Sequence, residues 1–144
     1  MTQLDVSVVR RKLALIQQAL LALETVRALT LEQYQSDLFR KKAIERFLQE
    51  AIEAAIDCSS HLVVRAGKPA PADLYSSFLA LADLGVIDRA LATALAPSAG
   101  LRNRLVHEYD TLDDTKVHAA VGTACDQLGQ FIAAVEKYVA AQVP

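Results

Sequence analysis

Apolar residues recur along the chain at about every 3.6 positions, the spacing that places side chains on one face of an α-helix. In the first stretch these positions are Leu4, Val8, Leu13, Ile16, Leu20 and Leu23. A second stretch follows Thr30, which forms a capping-box pattern with Gln33 and predicts a helix from about Leu31 to Arg65. The glycine and prolines of residues 67–71 end it. Two long N-terminal helices of this kind predict an antiparallel hairpin.

The second half of the chain predicts shorter helices that glycine and proline separate. The predicted segments are 73–82, 88–95, 98 to about 110, and 113 or 114 to about 139, with Asp73, Ser98 and either Asp113 or Asp114 as N-caps. No useful length of sequence alternates β-branched and polar residues, so no sheet is expected. The pattern predicts an all-α, antiparallel up-and-down bundle of about five to six helices, formed by a single domain over residues 1–144.

Composition narrows the class of protein. The chain of 144 residues is 53% hydrophobic and 22% charged, which favours a folded domain over disorder. A net charge of −2 argues against coating of nucleic acid by bulk charge but leaves room for a small basic site. Cys58 and Cys125 are expected to be reduced and packed. With no signal-peptide pattern and no apolar run of roughly 18 residues, the expectation is a cytoplasmic protein without membrane contact.

The most informative segment for chemistry is Gly-Leu-Arg-Asn-Arg-Leu-Val-His-Glu-Tyr at residues 100–109. On an α-helix, where successive residues are about 100° apart, five residues of this segment fall within an arc of about 160° and so share one side. That side would carry Arg102, Asn103, Val106, His107 and Tyr109, with leucines on the opposite side. The Arg-x4-His pair occurs once here. Requiring the asparagine and the tyrosine as well lowers the chance of coincidence by roughly three orders of magnitude.

These side chains suit cleavage of an RNA phosphodiester. The imidazole of His107 can move a proton near neutral pH, the guanidinium of Arg102 can hold a phosphate, and Asn103 can orient either group. The ribose 2′-hydroxyl is an internal nucleophile, so this chemistry needs no metal and no cofactor. One helix supplies one imidazole, and a separate acid and base would require two copies of the chain across a two-fold axis.

The same segment resembles the Arg-x4-His-x-Tyr signature of the HepT-like toxins, a family of the HEPN superfamily. The likeness extends along most of the chain, through the stretch around Asp57, the proline-rich loop before Phe78, and residues 128–131. The resemblance implies a bundle that forms a homodimer with the two signature helices lining one cleft. It also implies a metal-independent endoribonuclease that leaves a 2′,3′-cyclic phosphate and acts as the toxin of a type VII toxin–antitoxin pair.

Carried over residue by residue, the resemblance implies that Arg102 and His107 are catalytic and that Asn103 supports them. Tyr109 matches the tyrosine that an MntA-like nucleotidyltransferase antitoxin modifies with AMP to silence the toxin. The implied partners are therefore a second copy, that antitoxin and an RNA substrate, with no DNA expected.

Three other interpretations remain open at this point. The chain could be a non-catalytic HEPN binding module that partners a nucleotidyltransferase, or a helical interaction protein without activity. Glu53, Asp57 and His61 follow one another at intervals of four residues and could bind a metal. A di-iron bundle uses Glu-x-x-His pairs, which this chain lacks, so a structural stripe is favoured.

Overall fold

The computed structural model describes residues 5–142, and within this range it contains seven α-helices, one 3-10 turn and no strand. The all-α prediction is confirmed. The predicted apolar position Leu4 lies outside the described residues. The elements are α1 (Val6–Glu24), α2 (Leu31–Ser36), α3 (Leu38–Arg65), α4 (Leu74–Asp83), α5 (Arg89–Leu95), α6 (Ser98–His107), the 3-10 turn (Tyr109–Thr111) and α7 (Asp114–Gln142).

The predicted second helix is broken at Asp37. This residue has extended backbone angles, φ −125° and ψ 103°, and it ends α2 and begins α3. Its carboxylate accepts a hydrogen bond from the backbone N–H of Arg40 at 3.0 Å, which satisfies one of the free donors at the start of α3. Asp37 thus acts as an N-cap inside an apolar pattern that continues through it. Counting α2 and α3 as one segment gives six helices.

The helix around the candidate chemistry also differs from the prediction at both ends. Ser98 is the first residue of α6 rather than its N-cap, and its hydroxyl donates to the carbonyl of Leu95 at 2.6 Å. α6 ends at His107, because Glu108 leaves the helical conformation with φ −129° and ψ 35°. Tyr109 therefore lies in the 3-10 turn and does not continue the helical face of Arg102.

At α7 the two alternatives for the N-cap are resolved. The Asp113 carboxylate accepts from the backbone N–H of Thr115 at 3.0 Å, which makes Asp113 the capping residue. Asp114 instead forms an ion pair with Lys41 of α3 at 3.0 Å.

Helix α1 runs antiparallel to both α3 and α7. Lys12 pairs with Asp57 of α3 at 3.2 Å, and Arg27, beyond the end of α1, pairs with Asp126 of α7 at 2.8 Å. The three long helices share a hydrophobic core with α4 and α5, in which Phe78 meets the ring of Phe131 edge-on at 6.0 Å. Within residues 5–142, no helix combines the length and the apolar character that crossing a bilayer demands.

Candidate functional site

The candidate site lies on α6, a short helix that packs against α3. Ala99 and Leu105 are its two buried residues, and they anchor the apolar side of the helix to the core. On its other side Asn103 and His107 of the signature are exposed. Arg102 is partly buried and lies on the side that faces α3. The core contact of α6 therefore determines which of its residues reach solvent.

Arg102 is the best-fixed side chain of this site. Its Nε donates to Oε1 of Glu53 at 2.9 Å, and its Nη2 donates to the same oxygen at 2.6 Å. Its Nη1 donates to Oδ1 of Asn103 at 3.1 Å. The exposed fraction is 24% for the Arg102 side chain and 33% for that of Glu53. These contacts use three of the five N–H groups of a guanidinium and leave two for a ligand.

His107 occupies the last position of α6 and is exposed. It follows Asn103 by four residues, so the two side chains are neighbours along the helix surface. The structure thus places Asn103 and His107 on the exposed side of one short helix, whereas Arg102 lies on the side that faces α3 and contacts Asn103 through Nη1. One short helix therefore carries both an exposed imidazole and a guanidinium held by α3.

Tyr109 lies two residues beyond His107 and is the most exposed tyrosine of the site region, with 63% of its surface accessible. The backbone carbonyl of Glu108 accepts from the N–H of Thr111 at 3.0 Å and closes the 3-10 turn that carries it. The position of Tyr109 is therefore determined by the 3-10 turn and not by the helical geometry of α6. The structure therefore keeps Tyr109 near the end of the helix but outside the predicted arc.

A cavity of about 210 Å³ adjoins Arg102 between α3, α4 and α6. Its lining residues are Glu53, Ile56, Asp57, Leu74 and Arg102. The contact between Glu53 and Arg102 at one wall of this cavity is the feature that the sequence did not predict. The two residues are 49 positions apart, and no local pattern in one sequence pairs them.

The stripe considered as a metal site has other contacts in the structure. Glu53 is bonded to Arg102, and Asp57 is paired with Lys12 of α1 at 3.2 Å. Burial and the nearby guanidinium of Arg65 lower the pKa of His61. In the part of the chain that the structure describes, no three histidine, cysteine or acidic side chains converge as a metal site. The stripe connects α3 to its neighbouring helices.

Both cysteines are buried free thiols, as the sequence predicted. Burial raises the pKa of the Cys58 thiol to about 12 and that of Cys125 to about 11. Since the thiolate is the reactive form, neither residue is suited to nucleophilic chemistry.

The sequence of this chain is similar to those of known proteins. A family model described as ribonuclease HepT-like matches residues 15–135. A tRNA nuclease HepT of Aphanizomenon flos-aquae is 33% identical in an alignment 144 positions long, which covers 96% of this chain and 95% of that protein. A putative RNase of Archaeoglobus fulgidus is 40% identical over 89 residues, which cover 62% of this chain and 67% of that protein.

Solved structures share the fold. A toxin–antitoxin complex crystallised with AMP-PNP contains a chain with a TM-score of 0.82 and 25% identity, which covers 91% of this chain and 98% of that one. A second structure contains a tri-AMPylated HEPN toxin of Shewanella oneidensis in complex with an MNT antitoxin. It has a TM-score of 0.80 and 26% sequence identity, and the match covers 90% of this chain and 97% of that one. YutE, a cytosolic protein of unknown function from Bacillus subtilis, has a TM-score of 0.87 at 18% sequence identity. The match covers 99% of this chain and 96% of that one. This last likeness is one of fold alone.

Proposed function

The chain belongs to the HepT-like ribonuclease family, and on that premise we propose that it is an endoribonuclease toxin of a type VII toxin–antitoxin pair. The observation that carries the proposal is the cluster of polar side chains on α6. There a guanidinium held by Glu53 and Asn103 shares one short helix with the exposed imidazole of His107. A related protein that aligns along nearly the whole chain is named a tRNA nuclease, which supports RNA as the substrate.

In the proposed reaction the ribose 2′-oxygen attacks the adjacent phosphorus, and the bond from phosphorus to the 5′-oxygen breaks. His107 transfers a proton from the 2′-hydroxyl or to the departing 5′-oxygen. Arg102 holds the phosphate and stabilises the negative charge that grows on it, and Asn103 orients the guanidinium. The products are a 2′,3′-cyclic phosphate and a 5′-hydroxyl. The nucleophile belongs to the substrate, so the step requires no metal.

A second copy of the chain would complete the site. Each chain contributes one imidazole at this surface, whereas the reaction uses one proton acceptor and one proton donor. In a homodimer with the two α6 helices facing each other, His107 of each copy would serve one of these roles. The exposure of Asn103 and His107 supports this arrangement, because a symmetric contact brings the same surface of both copies together.

The proposed regulator is an MntA-like nucleotidyltransferase that attaches AMP to Tyr109. A related toxin of known structure is described as tri-AMPylated and bound to an MNT antitoxin. The exposed phenol of Tyr109, two residues past His107, is accessible to such an enzyme. An attached AMP would add bulk and negative charge two residues past His107, where it would obstruct the RNA and offer its phosphate to the Arg102 guanidinium.

Cleavage of total cellular RNA in excess EDTA tests the proposed activity. Mass spectrometry first establishes that Tyr109 is unmodified. The wild-type protein should then give discrete fragments that end in a cyclic phosphate. His107→Ala should cut at least about 100-fold more slowly, because general acid–base catalysis contributes that much or more. Glu108→Ala is the matched control, since its side chain is adjacent yet lies outside the proposed machinery.

Two outcomes would contradict the proposal. Equal cleavage by His107→Ala would remove the imidazole from the reaction. No cleavage by the unmodified wild-type protein would favour the non-catalytic binding module, which holds a nucleotidyltransferase partner without cutting RNA.

A further inference from the structure

We propose that Glu53 is a positioning residue, which holds the Arg102 guanidinium in the orientation that binds the scissile phosphate; this inference rests on the proposed ribonuclease function. The observation is the pair of hydrogen bonds from Nε and Nη2 of Arg102 to the single oxygen Oε1 of Glu53, at 2.9 and 2.6 Å. Glu53 belongs to α3, whereas the rest of the candidate site belongs to α6 and the turn after it.

The geometry leaves a phosphate-binding edge open. Glu53 accepts from the edge of the guanidinium formed by Nε and Nη2, and Asn103 accepts one hydrogen from Nη1. The remaining hydrogens belong to Nη1 and Nη2, the two nitrogens at the end of the side chain. Two parallel N–H groups match two oxygens of a phosphate. Glu53 therefore occupies the edge of Arg102 formed by Nε and Nη2, and one hydrogen on each of Nη1 and Nη2 remains for the substrate.

The need for such a residue follows from the weak anchoring of α6. This helix has ten residues, two of them buried, and its N-cap Pro97 makes no side-chain hydrogen bond. Helix α3 is 28 residues long and deeply embedded in the core. The bond from Glu53 to Arg102 thus joins the flexible end of a long side chain to a rigid element. If Arg102 is already ordered before RNA binds, its side chain loses less conformational entropy on binding.

Glu53 could instead act as an inhibitor that competes with the phosphate for Arg102. The two roles predict opposite results, because removing an inhibitor raises activity and removing a positioning residue lowers it. The use of one carboxylate oxygen on one edge of the guanidinium favours positioning, since the terminal edge is not covered by Glu53.

Steady-state cleavage of one defined RNA by a set of variants tests the role. Glu53→Ala should lower kcat/KM by about 10- to 100-fold, as expected when a catalytic group is displaced by about 1 Å. Glu53→Gln should recover part of the loss, because its amide oxygen still accepts from Arg102. In an Arg102→Ala background, Glu53→Ala should cause no further loss, since Glu53 acts through Arg102.

Glu50→Ala is the matched control. Glu50 lies on the same helix and pairs with Arg46 of that helix at 3.0 Å, so its removal deletes a similar ion pair outside the site. Its kcat/KM should equal that of the wild type. Thermal unfolding of every variant separates lost activity from lost fold, and the near-isosteric Glu53→Gln remains informative if Glu53→Ala does not fold.

A spectroscopic readout tests positioning without relying on catalysis. The ¹⁵N–¹H signal of Arg102 Nε, assigned by its disappearance in Arg102→Lys, should be sharp in the wild type and broadened in Glu53→Ala. An unchanged signal would overturn the inference even if the protein cut no RNA. Unchanged or raised kcat/KM in Glu53→Ala, or an equal loss in the Arg102→Ala background, would overturn it as well. Absence of wild-type cleavage alone counts against the proposed ribonuclease, not against the positioning.

Discussion

At the scale of single residues, the tyrosines of this chain differ most in how far their phenols reach solvent. Tyr34 is buried beside Glu45, and burial raises the pKa of its phenol. Tyr75 and Tyr109 are exposed over 51% and 63% of their surface. An enzyme that modifies a phenol needs access to the oxygen, so exposure removes Tyr34 from consideration. Exposure alone does not identify which of Tyr75 and Tyr109 is modified. Tyr109 is the expected target because it lies two residues past His107.

We expect Tyr109→Phe to prevent AMPylation and Tyr75→Phe to leave it unchanged. The measurement is the mass of the purified protein after incubation with ATP and an MntA-like nucleotidyltransferase. Tyr109→Phe should also stay active in the RNA cleavage assay after that incubation, whereas the wild type should be silenced. Addition of AMP to the Tyr109→Phe protein would place the modified residue elsewhere on the chain.

At the scale of elements, two interruptions of helical structure place the site. The first, at Asp37, separates α2 from α3 by one residue with extended backbone angles. The second, at Glu108, ends α6 directly after His107 and sends the chain into the 3-10 turn of Tyr109. Asp114 at the start of α7 then binds Lys41 of α3 at 3.0 Å and Gln35 of α2 at 3.2 Å. These contacts tie the segment after the site to the helices before it.

The ion pair of Asp114 and Lys41 gives a pH-dependent contribution to stability. The Lys41 ammonium holds the pKa of the Asp114 carboxyl below its usual range. A lowered pKa in the folded state stabilises the fold above the unfolded value of about 4, and this contribution is lost as pH falls through the folded pKa. Asp114→Asn should therefore lower the free energy of unfolding at pH 7, by less than about 1 kcal/mol for a partly exposed pair.

Urea unfolding at several pH values measures this effect. The gap between wild type and Asp114→Asn should be constant from pH 7 to about pH 5 and should close as pH falls further. Glu136→Gln, at an exposed position of the same helix, is the control and should show a smaller gap. A gap that stays the same at pH 2.5 would mean that the Asp114 charge contributes nothing.

At the scale of the whole molecule, one chain offers one signature imidazole to the reaction, and the proposed homodimer offers two. The three long helices form the scaffold, and α6 lies at its surface, against α3. Asn103 and His107 are exposed in the single chain and accessible to a second copy, whereas Arg102 lies against α3. Assembly of two copies is therefore part of the proposed chemistry.

Mixing subunits tests whether both imidazoles act in one dimer. Wild-type protein exchanged with an excess of His107→Ala chains should lose most of its activity per wild-type chain, because mixed dimers lack either the acid or the base. An equal excess of Glu108→Ala chains, which retain His107, should raise the total activity. Undiminished activity per wild-type chain, with mixed dimers present by native mass spectrometry, would mean that each copy is catalytically self-sufficient.

The sequence by itself determined the all-α class, most helix boundaries and the residues of the signature, because these depend on local information. Helical periodicity and capping are interactions within about four residues, so Thr30 and Asp73 could be identified as caps from their neighbours. The signature is likewise a pattern within eight consecutive residues, and it carries the resemblance to the HepT-like toxins without any knowledge of the fold.

Only the tertiary structure decided where the helical pattern breaks and what Arg102 contacts. The apolar pattern continues through Asp37, yet in the structure this residue caps α3. Residues on both sides of it, Gln35 and Lys41, contact the distant Asp114 of α7. The polar face predicted through Tyr109 ends at His107, because Glu108 leaves the helix before the turn that α7 follows. Glu53 and Arg102 meet because α6 packs on α3, and packing between distant segments is not a local property of the sequence.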